Sequence, residues 1–369
     1  MGIIGANEKL RIGIIGCGGI ANGKHMPALA LLKNVEMVAF CDIVEEKAVA
    51  AKEKYGKADS KTYTDYKELL ADKSIDVVHV CTPNRSHSFI TVDALESGKH
   101  VMCEKPMAIN SEEALKMLDA AKRTGKKLTI GYQSRFRTNS QFMKMEAEKG
   151  TFGEIYYAKA HAIRRRAVPT WGVFLNEYEQ GGGPLIDIGT HALDLTLWMM
   201  DNYKPKYCIG QAYHKLNDQT NQGNAWGNWD PEKFTVEDSA FGFIVMENGA
   251  SISLESSWAL NMLNPQEAKT TICGTLGGAD MMGEKDGIRI NNIVNNFQNV
   301  STPELRAISG AAFYDGAGGG KPHEIEAYQW IQSIINDTEP LVKPEQAYVV
   351  TRILEGIYTS SKTGDIYRF

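Results

Sequence analysis

This 369-residue sequence lacks the features that mark nucleic-acid-binding, membrane-spanning and disulfide-linked proteins. Its formal net charge is −5 at pH 7, so there is no basic excess for a phosphate backbone. No apolar stretch is as long as a transmembrane helix, and residues 1–8 lack the charged start and apolar centre of a signal peptide. The six cysteines form no CxxC pair and therefore no zinc motif. We expect a reduced, cytoplasmic protein without a metal, and no nucleic-acid or membrane partner.

What the sequence does contain is an ordinary globular composition, 43% hydrophobic and 23% charged, over a length that predicts two domains, with three as the alternative. In the first third, apolar strand patterns alternate with helices, which indicates a doubly wound parallel α/β sheet with ligands at the carboxyl ends of its strands. From residue 154 onward, strand patterns with only one helix among them, at 186–200, favour an α+β domain with an open, mainly antiparallel sheet. We predict domains at 1–133 and 134–369, a flexible joint at 316–320, and two final helices that pack back on the first domain.

Gly16, Gly18 and Ala21 form a GxGxxA motif directly after the predicted strand 10–15. Gly16 permits a tight turn, Gly18 lets the backbone approach a pyrophosphate, and Ala21 lets the following helix pack closely on the strand. The N–H groups of this turn, which also contains Gly19 and Ile20, would face the phosphates at the positive end of the helix. We predict a dinucleotide-binding turn; the alternative is a turn with a structural role alone.

Asp42 follows the next predicted strand, 36–41. A carboxylate at this position accepts hydrogen bonds from the ribose hydroxyls of the adenosine and repels a 2′-phosphate, so the sequence favours NAD over NADP. The alternative is that Asp42 caps the helix that follows it.

The strand at 100–103 ends in Glu104-Lys105-Pro106. Lys105 can donate a hydrogen bond to a substrate oxygen and stabilise the alkoxide-like charge that develops as hydride leaves. Pro106 is a candidate for a cis peptide bond. The alternative is a solvated lysine in a surface turn.

Asp187, His191 and Asp194 have the i, i+4, i+7 spacing of one helical face. A histidine between two carboxylates is oriented and made more basic, so His191 is a candidate general base for an alcohol proton. The alternatives are a structural histidine with Asp187 as a helix cap, and a metal site, for which the rest of the chain supplies no matching cluster.

Five further residues are candidates by position. Gln133 and Arg135 follow the last parallel strand. Arg164 and Trp171 follow the first strand of the second domain and suit hydrogen bonding and stacking with a sugar, although arginine runs more often form a solvated edge. His323 precedes the penultimate helix, where it can reach a ligand or cap the helix.

Assembly is predicted from the second domain. The apolar alternation of 250–258 exceeds what a solvated sheet face needs, so we expect a homo-oligomer formed through this sheet. Trp226 and Trp229 lie in the polar loop 217–231 and are expected to cover a subunit neighbour or the substrate entrance.

The motifs have a characteristic order along nearly the whole chain. They are Gly16-x-Gly18-x-x-Ala21, Asp42, Thr82-Pro83-Asn84 with His87, Glu104-Lys105-Pro106, Arg135-Phe136 and Asp187-x-x-x-His191-x-x-Asp194. In this combination the sequence resembles the Gfo/Idh/MocA family of sugar and polyol oxidoreductases. The resemblance implies a Rossmann domain followed by an open antiparallel sheet, and NAD(P)-dependent hydride transfer at a carbohydrate carbon.

The resemblance also implies roles for individual residues. Lys105 and His191 would be the catalytic pair, with Asp187 as a partner of the substrate or of the histidine. Besides the glycine turn and Asp42, the cofactor contacts would be Thr82, Asn84, His87, Glu104, Lys105 and Gln133, the last at a position where many members carry asparagine. The substrate contacts would be Arg135, Arg164, Trp171, Asp187 and His191.

From these observations we expect an NAD-dependent dehydrogenase that oxidises a secondary ring hydroxyl of a sugar, glycoside or cyclitol, with a 3-keto-glycoside as the preferred product. Two alternatives stay open at this point. One is a redox-assisted glycoside hydrolase or lyase with recycled NAD, because the family contains such members. The other is a non-catalytic NAD-binding protein of the same fold.

Overall fold

The computed structural model describes residues 9–282, 287–305 and 320–369. Residues 1–8 and 316–319, on which the expectations of a missing signal peptide and of a flexible joint depend, lie outside these ranges. The chain divides into two compact units, the first formed by Met1–Gln133 with Tyr314–Tyr348 and the second by Ser134–Phe313 with Val349–Phe369. Each unit is described separately below.

The first unit is built on a parallel sheet. Its strands are β1 (Leu10–Ile15), β2 (Val35–Cys41), β3 (Lys61–Tyr63), β4 (Val77–Val80), β5 (His100–Cys103) and β6 (Leu128–Ile130). They lie in the order β3-β2-β1-β4-β5-β6, and every neighbouring pair is parallel. This order reverses direction between β1 and β4, the position at which doubly wound sheets bind their ligands. The predicted α/β fold class is confirmed; β3 is a short edge strand that the sequence pattern did not indicate.

Helices connect these strands. They are α1 (Met26–Ala30), α2 (Glu45–Tyr55), α3 (Tyr66–Ala71), α4 (Asn84–Glu96) and α5 (Ser111–Thr124). The chain enters α1 through a π-helical turn, Ala21–His25, which begins at the last residue of the glycine motif. The side chain of Asn110 caps α5 by accepting a hydrogen bond from the N–H of Glu113 at 2.9 Å.

The second unit contains a mixed, mostly antiparallel sheet. Within the described residues its strands are β7 (Ile155–Ile163), β8 (Pro205–Tyr213), β9 (Ser239–Met246), β10 (Ser251–Ser257), β11 (Glu267–Gly274), β12 (Gly277–Asp280), β13 (Arg289–Val294), β14 (Phe297–Ser301) and β15 (Tyr367–Arg368). The order is β14-β13-β12-β11-β7-β10-β9-β8-β15, and only β7 and β10 pair in parallel in this part of the chain. The predicted α+β class is confirmed, whereas β12 to β15 had no signal in the sequence pattern.

Helices α6 (Thr138–Glu148), α7 (Glu177–Gln180) and α8 (Thr190–Met200) belong to the second unit. α8 packs on β7 and β11 and presents almost entirely buried residues to them. Two helices follow near the end of the chain, α9 (Pro322–Ile335) and α10 (Pro344–Thr363). In α9, Trp330, Ile331 and Ile334 join the core formed by β1, β2 and α1 of the first unit. Every helix among the described residues is too short or too polar to span a bilayer.

The apolar residues that alternate along β10 face the core and not a subunit partner. Ile252 and Leu254 are fully buried, and the positions that alternate with them are Ser251, Ser253 and Glu255. The apolar residues of 250–258 therefore supply the core, and the argument that they leave an apolar face uncovered was wrong. Because the side chains of a strand alternate between two faces, the pattern alone does not say which face is buried.

His100, at the start of β5, gives the first unit a pH-sensitive element. Its Nδ1 accepts a hydrogen bond from the backbone N–H of Lys127 at 3.0 Å, so this nitrogen is unprotonated in the fold. Burial, together with the charges of Lys126 and Lys127, lowers the pKa of His100 to about 4. The pKa of an unfolded histidine is about 6.5, so this stabilisation is complete above that pH and is lost as the pH falls toward the folded value.

We therefore expect the wild-type protein to lose about 2 kcal/mol more unfolding free energy than a His100→Asn variant between pH 7 and pH 5. The amide oxygen of asparagine can still accept the hydrogen bond from Lys127, but it does not titrate. Urea unfolding of both proteins at the two pH values measures the difference. Equal losses in the two proteins would contradict the assignment.

Candidate cofactor and substrate sites

The glycine turn after β1 has the geometry that a bound dinucleotide needs. Gly16 has a φ of +90°, and a Cβ there would lie 2.6 Å from the carbonyl oxygen of Cys81, so glycine is required. A Cβ on Gly18 or Gly19 would meet no protein atom within 4 Å, so the surface beside these residues is open to a ligand. Ala21 is fully buried against the core. The residues present thus fit a pyrophosphate at the start of the helix, where Ile20 also lies.

Asp42 links the end of β2 to this turn. Its Oδ2 accepts a hydrogen bond from the N–H of Cys17 and its Oδ1 from the N–H of Val44, both at 2.9 Å. Helix α2 has Val44 as its N-cap, without a side-chain hydrogen bond, so Asp42 is not the cap of that helix. Asp42 is half-buried, and each carboxylate oxygen keeps acceptor capacity beyond its backbone contact. These features fit a pair of ribose hydroxyls.

His87 connects the loops that follow β4 and β5. Its Nδ1 lies 2.8 Å from the carbonyl oxygen of Pro106, and its Nε2 lies 2.9 Å from that of Thr82. The side chain is 1% exposed, so a cofactor cannot reach the ring. We therefore interpret His87 as a residue that positions the two loops, in place of the direct cofactor contact expected from the sequence. Thr82 and Asn84 stay predicted contacts; Asn84 begins α4.

Glu104 is buried and holds the backbone of Lys105. Its Oε2 accepts the Lys105 N–H at 3.0 Å, and its Oε1 lies 2.8 Å from Nε2 of His25. Burial alone would raise the pKa of Glu104, but the hydrogen bond and charge of His25, with the nearby Lys105 and Lys24, lower this pKa to about 2. Glu104 is therefore an ionised acceptor at neutral pH and not a group that binds the cofactor by donating a proton.

His79, in β4, extends this network. Its Nδ1 lies 3.0 Å from Nδ1 of His25. Because Glu104 is ionised, Nε2 of His25 donates to it, and in the contact between the two Nδ1 atoms one nitrogen donates and the other accepts. Burial and the neighbouring His25 lower the pKa of His79 well below 6.5, which agrees with a neutral ring. The sequence reasoning missed both histidines, although a histidine within the apolar run Val77–Val80 indicates a buried polar partner.

Lys105 is half-buried, and its peptide bond to Pro106 is cis, as the sequence suggested. Its role as a hydrogen-bond donor to a substrate oxygen stays a prediction. Gln133 and His323 line one narrow pocket of the first unit together with Lys24, His25 and Glu104. Gln133 and His323, which the sequence singled out by position, thus lie beside the hydrogen-bonded group of Glu104, His25 and His79.

In the second unit, His191 lies on the first turn of α8, where it is half-buried. Asp187 lies outside α8, in a π-helical turn, Leu185–Gly189, that leads into it. The turn runs directly into α8, so Asp187 and His191 belong to one continuous helical segment. Oδ2 of Asp187 accepts a hydrogen bond from Nε1 of Trp258 at 3.0 Å and lies 4.0 Å from Nη1 of Arg164.

Asp194 is fully buried and forms an ion pair with Arg135. Nε and Nη2 of Arg135 contact the two carboxylate oxygens at 2.9 and 2.5 Å, and Nη2 is 3.3 Å from the hydroxyl of Tyr203. Both charged side chains have no exposed surface. Asp194 therefore pairs with Arg135 in the core, and Arg135 is buried too deeply to touch a substrate. Such a pair is retained as a unit, because removal of one partner leaves an uncompensated buried charge.

Glu237 is a further buried group that the sequence reasoning missed. Its two oxygens accept hydrogen bonds from the N–H groups of Gly183 and Leu185, at 2.7 and 3.1 Å, and from the hydroxyl of Tyr358 at 2.8 Å. Burial raises the pKa of Glu237 to about 7, although these three donors oppose the shift. Glu237 thereby anchors the start of the turn that carries Asp187.

Arg164 and Trp171 are brought together with one tryptophan of the loop 217–231. Arg164 forms two hydrogen bonds with Glu267, at 2.7 and 2.6 Å, and its guanidinium lies 5.2 Å from the ring centre of Trp226. Trp171 packs against the same indole. By contrast, Trp229 is buried and donates its Nε1–H to the carbonyl oxygen of Asn217. Trp229 therefore stabilises the loop 217–231 through a buried contact.

The described residues contain no cluster of three or more histidine, cysteine, aspartate or glutamate side chains that could hold a metal ion.

Comparisons with known proteins agree with this geometry. Residues 10–132 match a family model described as "Oxidoreductase family, NAD-binding Rossmann fold", and residues 144–368 match "Oxidoreductase family, C-terminal alpha/beta domain"; both are Gfo/Idh/MocA models. A D-glucoside 3-dehydrogenase of Escherichia coli K12 is 35% identical over 97% of both chains. An inositol 2-dehydrogenase of Salmonella typhimurium LT2 is 32% identical over 53% of this chain and 56% of its own.

Solved structures show the same fold. A levoglucosan dehydrogenase in complex with NADH and levoglucosan superposes with a TM-score of 0.82 over 98% of this chain and 99% of the other, at 21% identity. The likeness in fold extends across both units.

Proposed function

Because this chain belongs to the Gfo/Idh/MocA family of NAD-binding oxidoreductases, we propose that it oxidises a secondary ring hydroxyl of a glucoside or related sugar, preferably at C3. The observation that carries the proposal is the similarity to a D-glucoside 3-dehydrogenase over nearly the full length of both chains, including both units. In this proposal residues 1–133 bind NAD and residues 134–369 supply the substrate-binding and oligomerisation surfaces. The substrate is then a small carbohydrate.

A bound NAD would supply the hydride acceptor for this reaction. In the proposed reaction His191 removes the hydroxyl proton, and Asp187 orients His191 or the substrate. Nζ of Lys105 donates a hydrogen bond to the substrate oxygen and stabilises its developing negative charge. Glu104 fixes the main chain of Lys105 by accepting its N–H, and His25 keeps Glu104 ionised and oriented. The glycine turn, Asp42, Thr82, Asn84 and Gln133 are proposed to hold the cofactor.

The proposal is tested by incubating the protein with NAD and a panel of methyl glucosides, disaccharides, glucose and inositols. We expect NADH to form in proportion to sugar consumed, and the product, analysed by NMR, to be a 3-keto-glycoside. Release of a free sugar without net NADH would instead support a redox-assisted hydrolase. NAD binding without turnover of any sugar would support a non-catalytic NAD-binding protein.

Asp42 is proposed to select NAD over NADP. Asp42→Ser combined with Ile43→Arg should lower the ratio of kcat/KM for NAD over NADP by roughly tenfold or more, a change of about 1.4 kcal/mol. Asp42→Asn is the matched variant, because it removes the charge but keeps an oxygen that can accept the N–H of Cys17. Tighter binding of NADP than of NAD by the wild-type protein would contradict this role.

We also propose that two copies of the chain associate through the outer face of the second-unit sheet. Ile209 and Phe243 are cross-strand neighbours on β8 and β9 and are 46% and 42% exposed. Adjacent apolar side chains with this exposure are typical of a surface that a partner covers. Phe241 continues this face, and its ring centre lies 6.0 Å from that of Tyr213. These two aromatic side chains enlarge the apolar patch.

Light scattering should therefore give a mass above the 40.8 kDa of one chain, and Phe243→Asp should shift the protein toward the monomer. Phe297→Asp is the control, because Phe297 is 75% exposed on β14, away from the proposed face. A wild-type protein that is monomeric at all concentrations, or dissociation by Phe297→Asp alone, would contradict the proposal.

A cytoplasmic location is part of the same proposal. All six cysteines are free, and five of them are buried. Unpaired thiols are typical of proteins in a reducing compartment.

A further inference from the structure

Trp171 and Trp226 form an exposed aromatic surface in the second unit. Their ring centres are 4.9 Å apart, with an angle of 76° between the ring planes. The two residues are 52% and 43% exposed, which is unusual for tryptophan because its large ring is normally mostly buried. We call this pair the indole platform.

The backbone on both sides of the indole platform is held in place. The hydroxyl of Thr170 donates to the carbonyl oxygen of Trp226 at 2.6 Å. The side chain of Asn224 accepts from the N–H of Val168 at 2.8 Å and donates to the carbonyl oxygen of Val168 at 2.9 Å. The platform is therefore preorganised, and a ligand that stacks on it orders little additional chain.

Arg164 connects the indole platform to Asp187. Its guanidinium lies 5.2 Å from the ring centre of Trp226, while its Nη1 is 4.0 Å from Oδ2 of Asp187. The bidentate contact with Glu267 fixes this guanidinium in position. One guanidinium group thus separates the platform from the carboxylate that precedes the proposed base, His191.

The C–H-rich face of a pyranose ring is apolar, and its C–H bonds carry a partial positive charge. Such a face is attracted to the electron-rich face of an indole ring. In the proposed reaction one sugar ring is oxidised, and the group attached to its anomeric carbon extends beyond the reacting centre. A fixed aromatic surface, separated from Asp187 by one guanidinium group, suits that attached ring.

We propose that Trp171 and Trp226 bind the second sugar ring of a glycoside substrate and thereby make the enzyme prefer glycosides to free monosaccharides. This inference rests on the proposed function, because it requires that a sugar ring is oxidised. The occupant is a pyranose linked through the glycosidic oxygen to the ring that reacts. Trp229, which is buried in the same loop, has no part in it.

The test compares Trp171→Ala and Trp226→Ala with the wild-type protein on cellobiose, maltose and glucose. Loss of one stacking partner should raise KM for the preferred disaccharide by up to roughly tenfold. The rise in KM for glucose should be much smaller, because glucose lacks the second ring that is proposed to stack on the platform. Trp226→Phe should restore part of the disaccharide preference. Tyr156→Ala is the matched control, since Tyr156 is 53% exposed on β7 and should affect neither sugar.

Three outcomes would overturn the inference. The first is an equal rise in KM for glucose and for the disaccharides, and the second is no change for either. The third is dissociation of an oligomer by Trp226→Ala, which would make the platform a subunit contact. If the wild-type protein oxidises no sugar, the proposed function fails separately. Calorimetric titration with cellobiose then decides the inference, and equal affinity in wild type and Trp226→Ala contradicts it.

Discussion

His191→Asn should lower the rate of sugar oxidation by roughly 10²–10⁴, the usual effect of removing a positioned acid–base group. The affinity for NAD should stay nearly unchanged, because the proposed cofactor contacts all belong to the first unit, whereas His191 belongs to the second. Asparagine retains polarity and approximate size, but it cannot accept the proton. Turnover is measured per folded subunit with NAD bound, so that a change in the amount of folded protein does not enter the rate.

A structural role for His191 predicts a different pattern. The variant would then lose melting temperature, and its folded fraction would turn over at the wild-type rate. His214→Asn is the matched control, because His214 is an exposed histidine of the same unit and should leave the rate unchanged. Near-wild-type turnover in His191→Asn would remove His191 from the mechanism and leave Lys105 as the remaining candidate base.

Lys105→Met should reduce the oxidation rate by roughly 10²–10³, as expected for loss of a donor at an oxygen that becomes negatively charged. Methionine keeps an unbranched side chain of similar length, so the packing at this position is disturbed little. Cofactor or substrate binding should also weaken, because the lysine is proposed to contact both. Lys116→Met, at an exposed position of α5, should have no effect on either quantity.

The two losses should not add in the double variant. Lys105 and His191 are proposed to act on one oxygen and its proton, so removing the second residue should lower the rate much less than it does alone. Full additivity in the double variant would mean that the two residues act on separate steps. Wild-type turnover in Lys105→Met would exclude this lysine from the proton-transfer step.

The nucleotide-binding unit was largely predictable from sequence because its signals are local. The strand, glycine turn and helix at 10–30 are contiguous, and each glycine requirement follows from backbone sterics at one position. Asp42 could be predicted for the same reason, since it directly follows its strand. The edge strand β3 escaped prediction, because three half-exposed residues carry almost no hydrophobic period.

The second unit shows where a periodic pattern misleads. The spacing of Asp187, His191 and Asp194 predicts one helical face, but it does not predict the partner of each side chain. Arg135, distant in sequence, binds Asp194 in the core, and Trp258 donates a hydrogen bond to Asp187. In the same way, the alternation in β10 was correct, but its apolar face turned out to be the buried one.

By itself, the sequence determined the fold class, the family resemblance, the dinucleotide turn and the positions of Lys105 and His191. Each of these depends on a short run of residues whose backbone geometry or chemistry is set by near neighbours. Only the tertiary structure decided that His79, His25 and Glu104 form one network, that Asp194 and Arg135 neutralise each other, and that Trp171 meets Trp226. These groups come from segments far apart in the chain. Their partnership is decided by the burial of charge and by packing, which no local pattern encodes.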